Sequence, residues 1–179
     1  QTTGGPGMHD RISGPQNIRN HADVFDARGL ADVRAAEEAR EHHEGLSARL
    51  VTSGTAVREL IETLRHDGNP PRERLRPLAA ALARHCDATE STVRRVLDEH
   101  GGTARAAAGR DREEGERVQR MLGEIIDHEP PAGTHDLMIG GILADIDQYV
   151  LHQQRELIPS IDRELTPTES RRLAGAFPA

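Results

Sequence analysis

The chain of 179 residues is acidic, with a formal net charge of −7, and 35% of its residues are hydrophobic. This charge argues against a nucleic-acid surface, and no apolar run of about 18 residues is present that would suggest a membrane span. A single cysteine, Cys86, excludes an internal disulfide and predicts a cytoplasmic location, and an aromatic content of only 2% argues against a β fold.

The N-terminal part of the chain is predicted as two segments ahead of the main fold. Residues 1–28 are polar and irregular and are interpreted as a leader. Residues 29–50 are rich in Ala, Glu and Arg, which favour helix, so they predict an N-terminal helical extension. This extension would either cover the main fold or pair with a second copy of the chain, which makes a homodimer one of the expected assemblies.

Two amphipathic helices are predicted next. In AVRELIETLRH, four aliphatic residues recur at helical spacing from Val57 to Leu64, and DGNPP at residues 67–71 ends the helix. The pattern is weaker at VTSGT, so the main fold is predicted to begin near residue 51. The second helix is predicted over residues 72–99, and its inward face runs through Leu75, Leu78, Leu82, His85, Thr89, Thr92 and Val96.

Two further long helices complete the predicted fold. The third is predicted over residues 104–127 and the fourth over residues 136–164, where Pro159 is expected to kink or end it. A short last helix follows, since Thr166 is a favourable cap and Pro167 suits the first helical position. Four helices of this length with short connections predict an all-α fold, an antiparallel four-helix bundle over residues 51–175.

Four segments of the chain resemble the helices of the hemerythrin family of HHE-type bundles. They are RLVTSGTAVRELIETL, RPLAAALARHCDATESTVRRVL, REEGERVQRMLGEI and ADIDQYVLHQQRELIPSIDRELTPTESRRL, in the order of the four helices. The resemblance covers about residues 48–175 and implies a hemerythrin-like four-helix bundle. In that family, five histidines and two carboxylates on the four helices hold two iron ions.

The resemblance places most of the family's iron ligands on residues of a different type. His85 alone is retained, and the other positions fall at Gly54, Thr89, Asp111, Gly115, Tyr149 and Gln154, or Gln153 if the register slips. Glu90, beside Thr89, would bind only after a change of register. Two irons need several anionic or imidazole ligands to offset the burial of their charge. We therefore expect no metal and no cofactor.

Loss of two metals and several imidazoles would leave the centre of such a bundle either collapsed or hollow. For a hollow centre, we expect a pocket for a small-molecule substrate, with binding residues Gly54, Thr89, Gly115, Gln153 and Gln154. Its acid–base groups would be His85, Asp111, Glu90 and Tyr149. The resulting hypothesis is a metal-independent enzyme of lyase or cyclase type that catalyses a biosynthetic condensation, with a Pictet–Spengler ring closure as an example.

Three other functions stay open from the sequence. The first is a non-catalytic protein that binds or senses a metabolite or haem, with His85 or Tyr149 as an axial haem ligand. The second is a remodelled iron site that binds dioxygen or nitric oxide. The third is an interaction module in which His85, Asp111 and Tyr149 satisfy one another inside a collapsed core. The remaining histidines are interpreted as surface, loop or helix-end residues, and Cys86 as a small buried hydrophobe.

Overall fold

Helices make up nearly all of the described chain. The computed structural model describes residues 45–68, 70–128, 131 and 133–178. In chain order the elements are α1 (Leu46–His66), a 3-10 turn (Arg72–Leu75), α2 (Arg76–Thr89), a π-turn (Glu90–Arg94), α3 (Arg95–His100), α4 (Gly102–Asp127), α5 (His135–Glu164) and α6 (Pro167–Ala176). No strand occurs in these ranges, so the predicted all-α class is confirmed. The predicted leader and most of the predicted extension lie outside the described residues.

α1 begins before the predicted start of the main fold. It runs from Leu46 through VTSGT without a break, because Val51, Gly54 and Val57 continue one buried face. The Thr55 hydroxyl donates to the carbonyl of Val51 at 2.9 Å, so this polar side chain is accommodated within the helix. The boundary predicted near residue 51 therefore lies inside α1.

The π-turn between α2 and α3 changes which side chains face the core. It closes wider hydrogen-bonded turns than an α-helix, so the residues that follow are rotated relative to the predicted face. Val93, Arg94 and Leu97 are buried, whereas Val96 is only half-buried. Val96, predicted on the same face as Leu82 and His85, is thus at the edge of the core, and Arg94 lies inside.

The C-terminal elements follow the predicted signals with one difference. Pro159 does not end α5, which continues to Glu164 with buried aliphatic residues on both sides of the proline. α6 begins at a capping box, in which the Thr166 hydroxyl accepts from the Glu169 backbone N–H and the Glu169 carboxylate accepts from the Thr166 backbone N–H. The predicted cap, with Pro167 in the first turn, is confirmed.

The long helices pack against one another in a closed series of contacts. α1 contacts α2, α5 and α6, and α4 contacts α2, α3 and α5. Polar pairs join α5 to its two neighbours: Ser47 with Asp162, Arg58 with Asp147, Arg110 with Glu156 and Arg117 with Asp145. In these pairs, residue numbers rise on one helix as they fall on the other. Among the described helices, none combines the length and the apolar character that crossing a membrane requires.

Two clusters of buried aliphatic side chains stabilise these helices. The first includes Val57, Ile61, Leu82, Val118, Leu122, Ile142 and Ile146. The second includes Leu46, Leu50, Val93, Leu97, Ala108, Leu157 and Ile161. Each fully buried aliphatic side chain contributes about 1.5–3 kcal/mol. Near the boundary between the clusters, each long helix carries a buried glycine or polar residue, namely Gly54, His85, Asp111 and Gln153.

Candidate functional site

A network of polar side chains lies where the two aliphatic clusters meet. Its members are Ser53 of α1, His85 of α2, Arg94 of the π-turn, Asp111 of α4, and Tyr149 and Gln153 of α5. All of them except Ser53 are at most 3% exposed. Buried polar groups are costly unless they are hydrogen-bonded, so the connections within this network decide its chemistry.

His85 is a neutral member of the network. Its Nε2 lies 2.5 Å from Gln153 Oε1, and its Nδ1 lies 2.9 Å from Ser53 Oγ. The Gln153 amide nitrogen donates to Asp111 and Tyr149, so its oxygen is left to accept from His85 Nε2–H, and Nδ1 accepts from Ser53. Burial lowers the pKa of His85 from 6.5 to about 4, although the Gln153 hydrogen bond opposes the shift. The imidazole is therefore uncharged at pH 7.

Arg94 and Asp111 form an ion pair at the centre of the network. Arg94 Nε and Nη2 each lie 2.7 Å from Asp111 Oδ2, and Arg94 Nη1 reaches outward to Glu90 at 3.1 Å. Burial raises the pKa of the Asp111 carboxyl, and the charge of Arg94 acts in the opposite direction. The second carboxylate oxygen, Asp111 Oδ1, is buried and has no hydrogen-bond partner among the described residues.

The Tyr149 hydroxyl connects both halves of the network. It accepts from Arg94 Nη2 at 3.0 Å and from Gln153 Nε2 at 2.8 Å, which leaves its own proton for Cys86 Sγ at 3.5 Å. Burial raises the pKa of Tyr149 well above its ordinary value, and the charge of Asp111 adds to the shift. Burial also raises the pKa of the Cys86 thiol. Both groups are thus protonated, and the prediction that Cys86 is buried is confirmed.

Gly54 and Gly115 allow neighbouring side chains to approach the helix backbone. A Cβ atom at Gly115 would lie 2.8 Å from Tyr149 Oη and 3.0 Å from Arg94 Nη2. A Cβ atom at Gly54 would lie 2.8 Å from Val150 Cγ1. Side chains of adjacent elements therefore fill the space beside both glycines.

Three other predicted site residues lie at the margin of the network. The Thr89 hydroxyl is buried and donates to a backbone carbonyl one turn earlier, at 2.7 Å. Glu90 lies at the surface and contacts the network only through Arg94. Gln154 is half-buried, and its Nε2 has no hydrogen-bond partner among the described residues. Of the two glutamines proposed as alternatives, Gln153 is the one joined to the network.

The sequence did not reveal Arg94 and Ser53 as members of the network. An arginine four residues after Glu90 is typical of an exposed helical ion pair, and a serine in a helix carries no specific signal. The available sequence signal that Arg94 faces inward is the spacing of the less polar residues on either side of it. Thr89, Val93 and Leu97 are separated by steps of four residues, which is longer than the 3.6-residue turn of an α-helix.

A groove of about 580 Å³ opens between α4 and α5 beside the network. It is lined by Arg110, Glu113, Glu114 and Arg117 of α4 and by Gln148, Tyr149, His152 and Arg155 of α5. Tyr149 is the one buried residue among these eight, and it is also a member of the network. The groove has a volume suited to a small organic molecule.

The iron ligands implied by the hemerythrin resemblance do not fit this arrangement. Both ring nitrogens of His85 are hydrogen-bonded, Gly54 and Gly115 offer no ligand atom, and the cation of Arg94 lies against Asp111. Within residues 45–68, 70–128 and 133–178, no three His, Cys, Asp or Glu side chains are grouped as the ligands of a metal ion.

Comparison of the chain with protein-family models, curated proteins and solved structures found no match. The hemerythrin resemblance therefore depends on the four quoted segments alone and stays a prediction.

Proposed function

We propose that the described helices form an antiparallel, hemerythrin-like four-helix bundle that binds a small molecule without a metal. The closed series of helix contacts and the opposite residue order of the α1–α5 and α4–α5 pairs support this arrangement. In such a bundle, Arg94 supplies a positive charge among residues contributed by all four long helices. The ligand binds in the groove between α4 and α5.

The position of Tyr149 is the observation that carries this proposal. Tyr149 lines the groove, and its hydroxyl is hydrogen-bonded to Arg94 and Gln153 inside the network. A ligand in the groove would therefore contact a residue whose hydroxyl is held by side chains of α2, the π-turn and α5. Preorganised polar groups of this kind lower the cost of binding, because they do not need to be ordered when the ligand arrives.

A fragment screen observed by 1H–15N NMR tests this proposal. Bound fragments should shift the amide signals of residues 113–117 and 148–155. The His152→Trp variant fills the groove and should abolish these shifts, whereas His66→Trp, at an exposed position of α1, should leave them unchanged. Fragments that bind elsewhere, or that bind the His152→Trp variant equally well, would contradict the proposed site.

Acid–base catalysis is a second candidate function, and Asp111 Oδ1 favours it. This buried oxygen has no donor among the described residues, and leaving such a group unsatisfied costs about 1–3 kcal/mol. Asp111 does not line the groove, so this role requires a substrate that passes Tyr149 and reaches the network. Asp111 Oδ1 would then accept a proton from the substrate, and the Tyr149 hydroxyl would turn its proton from Cys86 to the substrate. Gln153 holds both groups, and His85 holds Gln153. Glu90 would act indirectly, by holding Arg94.

The catalytic candidate can be tested with mixtures of an arylethylamine and an aldehyde, with the cyclised product followed by mass spectrometry. Asp111→Asn should lower the rate by about 100-fold or more, as expected for loss of an acid–base group. Asp136→Asn, at an exposed position of α5, is the matched control. An equal rate with Asp111→Asn would exclude this role.

Iron analysis and visible absorption of the purified protein address the remaining alternatives. Near-stoichiometric iron, or a haem absorption band, would contradict metal-independent binding and favour the haem or remodelled iron hypothesis.

A further inference from the structure

The charges that line the groove between α4 and α5 are arranged differently at its two ends. At one end, Arg117 is held by two carboxylates, with Glu114 at 2.7 Å and Asp145 at 3.3 Å. At the other end lie the guanidinium groups of Arg110 and Arg155, which we call the cationic end, with His152 beside them. The end at Arg117 is therefore already neutralised by acidic side chains of the chain itself.

The cationic end already holds one carboxylate. Glu156 Oε2 lies 2.7 Å from Arg110 Nη2 and 3.7 Å from His152 Nε2. The hydrogen bond from Arg110 lowers the pKa of Glu156. Arg110 and His152 thus lie against a carboxylate of the chain itself.

Arg155 remains available at the cationic end. It is exposed, lines the groove, and makes no hydrogen bond or ion pair with any residue in the described part of the chain. A guanidinium presents paired N–H donors that match the two oxygens of a carboxylate. Glu113, on the opposite wall, would repel a second anionic group on the same ligand.

From this arrangement we propose that the ligand of the groove is an organic monocarboxylate whose acid group binds Arg155 beside Arg110 and His152. This inference rests on the proposed function, because it names the chemical class of ligand for the same groove. The organic part of the ligand would extend along the groove toward Tyr149.

Matched acids and amides separate charge from shape in the test. Benzoate is compared with benzamide, and hexanoate with hexanamide, by NMR titration of the full chain. Both acids should shift the Arg155 and His152 signals, and the amides should bind about tenfold more weakly or not at all. A charge-assisted contact is worth enough to give a difference of this size.

Two variants assign the effect to Arg155. Arg155→Gln should weaken benzoate binding about tenfold, while Arg120→Gln, which alters an exposed arginine of α4 outside the groove lining, should have no effect. Equal binding of acids and amides in the groove would overturn the carboxylate inference and leave the groove as the binding site. Unchanged binding of the acids to Arg155→Gln would also overturn the carboxylate inference, and so would the absence of a shift with all four compounds. In either case, the wider fragment screen shows whether the groove binds a ligand at all.

Discussion

Arg94 and Asp111 depend on each other because both side chains are almost fully buried. Removal of one partner from a buried ion pair leaves the other uncompensated, which costs about 3–5 kcal/mol, whereas replacing both by apolar groups is often tolerated. Arg94→Met should therefore lower the free energy of unfolding by about that amount, and Arg94→Met/Asp111→Leu should recover most of the loss. Urea unfolding of the single and double variants measures this coupling.

The exposed pair of Arg110 and Glu156 is the control for that experiment. Because both side chains reach solvent, Arg110→Met should change the free energy of unfolding by less than about 1 kcal/mol. If the losses in free energy of unfolding caused by Arg94→Met and Asp111→Leu simply add up in the double variant, the two residues are not paired.

Gly115 tests the close packing of Tyr149 and Arg94 against α4. Alanine favours helix over glycine by about 1 kcal/mol. At Gly115, however, the new methyl group would contact Tyr149 and Arg94, and overpacking of this kind costs about 1–3 kcal/mol. Gly115→Ala should destabilise the protein, whereas Gly123→Ala, with no atom within 4 Å of the added Cβ, should stabilise it. Thermal unfolding of both variants is the measurement, and an equal gain at both positions would contradict the close contact.

His85 makes stability depend on pH in a defined direction. Its pKa is about 4 in the folded chain and ordinarily 6.5, so the unfolded chain takes up the proton first as the pH falls. The contribution of the neutral His85 to the free energy of unfolding is fully present above pH 6.5. It is lost as the pH drops toward 4, and the total loss is about 3 kcal/mol. Asp111, whose pKa is raised by burial, acts in the opposite sense, so the comparison of wild type with a variant isolates His85.

The variant for this comparison is His85→Gln, and His66→Gln is the control at an exposed position of α1. The free energy of unfolding is measured by urea titration at several pH values between 7 and 4. His66→Gln should follow the wild type, and His85→Gln should lose less stability on acidification. Identical pH dependence in all three proteins would contradict a neutral, buried imidazole.

At the scale of elements, the π-turn determines which residues α2 and α3 present to the core. Each residue added to or removed from an α-helix rotates the following residues by about 100°. Removal of exposed Ser91 would convert the wide turn into a regular one while keeping Arg94 inside, so it should cost less than about 2 kcal/mol. Deletion of Arg84, within regular α2, would displace the inward face and should prevent folding. Circular dichroism and urea unfolding distinguish these results.

The elements were largely predictable because their signals are local. The stop at DGNPP, the cap at Thr166 and the apolar spacing of α1, α4 and α5 depend on nearby residues only. The register after Thr89 was not predictable in this way, because the π-turn is stabilised by long-range contacts. Arg94 faces inward where it meets Asp111 and Tyr149, which lie far away in the chain.

At the scale of the whole molecule, the candidate site combines predicted and unexpected parts. His85, Asp111, Tyr149 and Gln153 were singled out from the sequence, and the structure brings them together. The cation that holds them could not be deduced, since a regular helix would have placed it at the surface. The side chains that pack against Gly54 and Gly115 could not be predicted either, because the residue spacing within one helix does not show which side chains of another helix contact it.

Metal removal provides a test on the whole molecule. Because Arg94 supplies the central positive charge within the chain, dialysis against EDTA should leave the thermal unfolding midpoint unchanged. A bundle held by metal would lose the binding free energy of that metal and unfold at a lower temperature. A fall in the midpoint that is reversed by added iron would contradict the proposal.

The buried guanidinium also bears on how the helices find their alignment during folding. Aliphatic side chains pack against one another without a strong directional preference, so a helix displaced by one turn could still bury its apolar face. A displaced π-turn would instead strand Arg94 in an apolar environment, at a cost of several kcal/mol. We therefore expect this one charged side chain to disfavour misaligned assemblies and to favour a single register in a core poor in aromatic residues.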